Sequence, residues 1–338
     1  IEITSSSAFK IRGCEIYENT TDGLNVTSST DGEIYHNTIY RHQGTGDDGI
    51  AAFNCSPAIK RNKIYDNDAG IRVEANGGAT VSSPDIANNV IYETTDYFMA
   101  YGILVKGDNG GEASPTIYHN SIDGGTGDGI AIKMVSTSTL VPLIKYNIIT
   151  HCDAYGIDAG GVNVPLANIA YNDVWGNTSE NYHNCAAGTG GISAKPLQTS
   201  QAGELASDSP CLDAIPTDSG DPVNMDYPGY SRPKGDGFDM GAYEYIPIKT
   251  ANYILPGGEG AVTDYSIFTI PLDIGTGANM RDTMKEPLGG TYDPTHWRVF
   301  ARIPSGDVEM NTQAFASLDI KPGMGFWGIT LYTNTITF

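Results

Sequence analysis

Arg72, Glu74, Lys106 and Lys133 are the side chains with which this chain is best equipped to act on a ligand, and their spacing suggests that they gather. Glu74 lies two residues beyond Arg72, while Lys106 and Lys133 follow Glu74 at steps of 32 and 27 residues. A lysine or arginine can neutralise a carboxylate or, once deprotonated, take a proton from carbon. Asp47, Asp48 and Asp128 add carboxylates that could hold Ca²⁺. With Asp66, Asp68, Asp96 and Asp153 they are also the available acid–base pairs. The bland alternative is a solvated Glu–Lys ladder between neighbouring strands, worth little energy. His36, His42, His119, His151, His183 and His296 form no cluster by sequence. His36 and His119 share one position in the repeat described next, which marks them as structural.

The steps between these residues belong to a repeat. A half-motif Gly-Ile/Leu-x-Val/Ile/Ala recurs at Gly23, Gly49, Gly70, Gly102, Gly129 and Gly156. A second, Ile-x-x-Asn-x-Ile/Val, recurs with Asn37, Asn62, Asn89, Asn120, Asn147 and Asn172. Both registers drift together at one period, as in a solenoid. Apolar residues alternate at Ile71 and Val73, Ile103 and Val105, and Ile130 and Ile132, the period of a strand with one buried face. Each coil is therefore expected to hold three short strands, with coils stacked ~4.8 Å apart. The asparagines fall at the bend between second and third strands, where a side-chain amide can bond to the next in the stack and a left-handed backbone is tolerated. Cys14 takes that slot one coil earlier, as a small buried thiol. Pro57, Pro84, Pro115 and Pro142 each precede a second strand.

Alternation then sorts the outward residues into columns. One reads Asn25, Ala51, Arg72, Leu104, Ala131 and Asp158; its neighbour reads Thr27, Phe53, Glu74, Lys106, Lys133 and Gly160. The third turns vary in length, as binding loops do. Asp22-Gly23, Asp48-Gly49 and Asp128-Gly129 recur at one coil position, as turn devices that accept backbone N–H bonds.

Over roughly the first 245 residues the two half-motifs resemble the right-handed parallel β-helix of the pectate-lyase-like superfamily, which occurs in many secreted bacterial proteins. The resemblance implies an all-β fold. It also gives the charged columns a meaning, because polysaccharide lyases of this fold bind acidic polymers along that sheet. On that basis Lys106 or Lys133 would be the base and Arg72 would hold the uronate. Glu74, Phe53 and Asp158 would touch substrate, and Asp47, Asp48 and Asp128 would hold calcium. The same solenoid also serves as a purely structural or adhesive element, so the fold does not choose between these roles.

Composition narrows the partners. A net charge of −21 over 338 residues argues against nucleic acid and anionic membranes. No run of 18 apolar residues marks a membrane span, and no signal peptide opens the chain. The abundance of Gly (41) and Tyr (20), with charged residues at 17%, suits an extracellular or cell-surface all-β protein. The five cysteines lack metal-type spacing; buried thiols, with one bridge such as Cys185 to Cys211, are expected.

Three segments follow: β-helix coils over 1–182, a terminal coil and capping segment over 183–245, and a small β-sandwich-like domain over 246–338, reached by a linker from Ile246 to Asn252. Ser209 to Ala214 and Arg232 to Tyr245 resemble the closing segment of bacterial secreted β-helix proteins, which would cap the last coil with Arg232 paired to Asp226 or Asp239. In the last domain, Tyr265–Ile270, Trp297–Arg302 and Gly325–Phe338 read as strands. Tyr292–Arg298 and Lys321–Trp327 look similar to a small β-domain appended to bacterial surface proteins. Strand-like residues at both ends make end-to-end association into filaments a further expectation. The reading favours a rigid scaffold that contacts glycan or surface protein. The alternative is a Ca²⁺-dependent lyase, epimerase or glycoside hydrolase.

Overall fold

The computed structural model describes residues 1–42, 44–78, 80–94, 97–246, 252–255, 266–269, 275–276, 297–303, 306–320, 324–330 and 334–337. The chain divides into two units, Ile1–Ile246 and Pro247–Phe338. The first is a right-handed parallel β-helix of about seven turns. Its three long sheets hold eight, seven and seven strands, each strand pairing with its equivalents one coil before and one coil after.

The apolar stacks pass straight up the interior. Ile34, Ile59, Ile86, Ile117, Ile144 and Ile169 align in the second sheet. Ile39, Ile64, Ile91, Ile122, Ile149 and Val174 do so in the third. All are buried in one continuous core, and each contributes about 1.5–3 kcal/mol by leaving water. The leading glycines are required by close approach. A Cβ on Gly49, Gly70, Gly102 or Gly129 would lie within 2.7 Å of the next glycine's carbonyl oxygen.

Between the second and third sheets the asparagines form a ladder. Each Nδ2 donates to the Oδ1 of the next Asn, at 3.0 Å from Asn37 to Asn62, Asn62 to Asn89, Asn89 to Asn120 and Asn120 to Asn147, and at 2.9 Å from Asn147 to Asn172. The same Oδ1 atoms accept the backbone N–H of the preceding Asn. Each Nδ2 also donates to a carbonyl one coil back, as Asn120 does to Ile86. The left-handed backbone expected of these asparagines belongs instead to the residue before each: His36, Arg61, Asn88, His119, Tyr146 and Tyr171, with φ between 51° and 66°. That conformation turns the chain and leaves the Asn side chain pointing inward. Cys14 occupies the first slot but is exposed, not buried, and only its N–H joins the ladder, 3.0 Å from Asn37 Oδ1.

The opposite corner of the third strand carries a second, shorter ladder. Asn19 N–H donates to His42 Nδ1, and His42 N–H to Asn67 Oδ1, both at 3.2 Å. The prolines stand where expected, immediately before Ala58–Lys60, Asp85–Ala87, Thr116–Tyr118 and Leu143–Lys145. The longer first turns add a three-stranded sheet of Val81–Ser82, Glu112–Ala113 and Thr139–Leu140, which the repeat pattern does not announce.

Beyond Trp175 the strand Glu180–His183 adds to the first sheet, and Ile192 bridges to Asp173. The segment from about 205 to 245 does not sit across the last coil. It runs back along the flank, gripping the left-handed residues of the Asn corner. Asn88 Nδ2 donates to the Met225 carbonyl at 2.7 Å, Asp221 lies 2.6 Å from buried His119, and Ala242 N–H reaches Ser121 Oγ at 2.9 Å. Arg232 pairs with Glu244 at 2.7 Å, not with the carboxylates of Asp226 or Asp239, which accept backbone N–H groups. All five cysteines are unpaired, so Cys185 and Cys211 form no bridge. Cys211 instead donates to Asp173.

In the second unit the described strands are antiparallel. Ser266–Thr269, Gly325–Thr330, Trp297–Ile303 and Gly306–Glu309 form one sheet in that order, and Asn252–Leu255 pairs with Asn334–Thr337. The expected last strand is thus two strands. The short helix Gln313–Ala316, which buries Phe315, went unforeseen. Tyr265, residues 292–296 and 321–323, and most of the proposed linker lie outside the described residues.

Two predictions follow from the corners. Asn120→Ala orphans the buried N–H of Asn89 and leaves Asn89 Nδ2 one acceptor short, and should cost about 3 kcal/mol in urea denaturation. Burial pushes His42 down to about 4, so the folded protein refuses a proton that the unfolded chain accepts below about pH 6.5. The stability this neutral ring contributes is therefore full above that pH and lost as pH falls toward 4. His42→Asn, copying Asn67, should flatten this part of the acid profile; an unchanged slope would contradict it.

Candidate functional site

The expected columns form on the first sheet. Phe53, Glu74, Lys106 and Lys133 pair in successive strands, as do Ala51, Arg72, Leu104, Ala131 and Asp158. Arg72 and Lys106, however, face carboxylates of this chain. Arg72 Nε lies 2.5 Å from Asp48 Oδ2, with its guanidinium 4.8 Å from the centre of the Phe53 ring. Lys106 Nζ sits 3.2 Å from Glu74. Lys133 Nζ donates to the Tyr101 hydroxyl at 2.6 Å and lies over that ring. Asp48 is buried, and burial pushes its carboxyl up while the adjacent Arg72 guanidinium pulls it down and favours the ionised pair.

The three aspartates assigned to calcium do not meet. Register places Asp48 level with Ala69, Tyr101 and Asp128 in turn, so Asp48 and Asp128 are three rungs, ~14 Å, apart. Among the described residues no group of three His, Cys, Asp or Glu is placed to hold a metal ion. The Asp-Gly positions act as turn devices: Asp22 Oδ1 accepts the Asp48 N–H at 2.9 Å, and Asp128 Oδ1 accepts that of Tyr155 at 3.3 Å. Asp66 accepts Thr94 N–H and Oγ1–H, and Asp68 accepts Gly46 N–H. Asp96 lies outside the described residues. Further along the same face, Asp158 bonds His183 Nδ1 at 2.9 Å, and the His183 ring stacks on Tyr155 at 4.0 Å. Burial raises the Asp158 carboxyl, but the Gly160 N–H, His183 and Asn184 more than offset this and hold it below its ordinary value.

A different flank carries features that sequence reading missed. The outward column of the third sheet runs Tyr17, Tyr40, Tyr65, Tyr92, Asp123, Thr150 and Trp175. Its four tyrosines stack with centroids 5.2, 4.7 and 5.0 Å apart and ring planes within 10° of parallel. The column ends in a groove of about 370 Å³. There Asp123 Oδ1 accepts from His151 Nδ1 at 2.6 Å and from Thr150 Oγ1 at 2.7 Å, and the Trp175 ring stands edge-on to His151 at 5.4 Å. His151 is half exposed and left-handed, φ 55°, like the residues at other corners. The sequence signal was available: Asp123 and His151 are 28 residues apart, one coil, as Asp158 and His183 are at 25. A smaller groove of about 290 Å³ is lined by the Lys60–Asp85 pair and by Arg61, which donates to the Tyr35 hydroxyl.

This geometry defines a right-handed parallel β-solenoid with a small antiparallel β unit after it. Consistent with that class, a family model described as the right-handed beta helix region matches residues 1–111. A search of curated proteins finds no match. Among the described residues no helix is long and apolar enough to cross a membrane.

Lys106 is partly solvated but Glu74 is buried, so removing the ammonium leaves a buried carboxylate without its charge partner. Lys106→Ala should lower the unfolding free energy by about 1–3 kcal/mol, measured in urea; a loss well below about 1 kcal/mol would mean that Glu74 is solvated without it.

Proposed function

We propose that the chain is a rigid β-helix scaffold of an extracellular or cell-surface protein, and that it contacts polysaccharide along its flank. The stacked Tyr17, Tyr40, Tyr65 and Tyr92 column carries this reading. Stacking hides most ring faces and leaves ring edges and hydroxyl groups in a straight line, one per rung. A polymer lying along the axis meets the same groups at every step, held at fixed spacing by the ladder beneath. The chain's −21 charge keeps nucleic acid and anionic membranes off such a surface.

Elimination from a uronate, assisted by calcium or not, ranks second. It needs a cation to meet the substrate carboxylate beside a base, and Arg72 and Lys106 face carboxylates of their own, which leaves Lys133, bonded to the Tyr101 hydroxyl, by itself. End-to-end filament growth rests on no observation of comparable weight.

Binding to a panel of neutral and uronic-acid polysaccharides, followed by affinity electrophoresis, tests the proposal. At least one polymer should retard the protein, and the double variant Tyr40→Ala with Tyr65→Ala should weaken that about tenfold or more. Retardation unchanged in the variant, or none with any polymer, contradicts the reading. Absorbance at 235 nm, with and without Ca²⁺, should stay flat; a rise abolished by Lys106→Ala and Lys133→Ala would instead favour the lyase.

A further inference from the structure

We propose that the groove where the tyrosine column ends is a binding subsite for an uncharged sugar residue, with Trp175 as its apolar wall and His151 as its directional hydrogen-bonding group. This deepens the glycan reading and rests on it.

The near side of the groove belongs to the solenoid. Asp123 fixes the His151 ring through Nδ1, so a neutral ring that donates there presents Nε2 as an acceptor for a hydroxyl. Thr150 holds the same carboxylate oxygen, which pins the acid in turn. Trp175, one rung beyond Thr150, supplies the flat apolar surface that the C–H face of a pyranose needs.

The far side is a hairpin folded back onto the flank. Thr199 N–H donates to the Glu204 carbonyl and Ala206 N–H to that of Leu197. Gln201 Nε2 ties the hairpin to the Glu93 carbonyl at 2.6 Å, and Gln198 Nε2 bonds the Gly203 carbonyl at 3.0 Å. Both amides thereby keep their Oε1 atoms as acceptors for sugar hydroxyls. Leu197, which lines the groove, is left-handed at φ 53°. A branched apolar residue in that conformation carries backbone strain of the kind held at binding sites.

Charge selects the ligand class. Asp123 and Lys195 are the groove's carboxylate and ammonium, and they cancel. An anionic sugar would find no surplus positive charge there and would have to approach a chain of net charge −21. An uncharged sugar needs what is present: one aromatic plane, apolar Pro196 and Leu197, and several fixed acceptors. The volume of about 370 Å³ lies within the range of small-ligand sites.

Calorimetric titration of the full chain with neutral gluco-, manno-, galacto- and xylo-oligosaccharides, and with oligouronates, tests the subsite. At least one neutral series should bind. Trp175→Ala and His151→Ala should weaken it at least tenfold, and Ser200→Trp, which fills the groove from an exposed position, should abolish it. The subsite is overturned if neutral oligosaccharides bind all three groove variants as tightly as the parent, or if only oligouronates bind. It is also overturned if polymers bind through the tyrosine column and no oligosaccharide binds, a result that spares the flank reading. Failure of every polymer and oligosaccharide removes both.

Discussion

The hydrogen bonds of the asparagine ladder are the constraint on which the rest of the molecule depends. Every rung presents a buried backbone N–H and a buried side-chain amide to the next Oδ1, so both donors are satisfied only in one register. A slip of one residue would leave several buried polar groups unpaired, each costing about 1–3 kcal/mol. It would also turn the apolar Ile stacks outward. Inside and outside are therefore fixed together, and with them the outward columns.

From that register the lateral surfaces follow. The left-handed residue before each ladder asparagine throws its side chain outward, and Asn88, His119 and Tyr146 become the handles that the returning segment grips. Burial and the nearby Arg232 charge hold the His119 imidazole down at about 4, and Asp221 bonds it there. The opposite corner throws out His151, which the solenoid holds through Asp123 while the 197–206 hairpin closes the other side. The two flanks thus use one local device for different ends, an anchor for the chain's own return and a wall for a groove.

What the sequence made legible was whatever repeats. Strand register, the Gly and Asn positions, the prolines and the membership of the columns around Arg72 and Glu74 all depend on contacts one coil away, and a fixed period exposes them. The column membership did not reveal that Arg72 and Lys106 spend their charge on Asp48 and Glu74, because side-chain pairing depends on which neighbour is nearer, not on the period. Asp123 and His151 do lie one period apart, but a search for clustered histidines cannot see a partner of another type. The path of residues 205–245 was illegible for a deeper reason. It has no period, and its contacts, such as Arg232 with Glu244 and Asn88, are set by the finished solenoid surface.

Hydrogen exchange at the backbone amides of Asn37, Asn62, Asn89, Asn120 and Asn147 tests the central claim most directly. If the ladder fixes the register, these N–H groups open only when the solenoid unfolds, and the interior four should share one protection free energy equal to that from denaturation. Fast, unequal exchange among Asn62, Asn89, Asn120 and Asn147 under native conditions would contradict it.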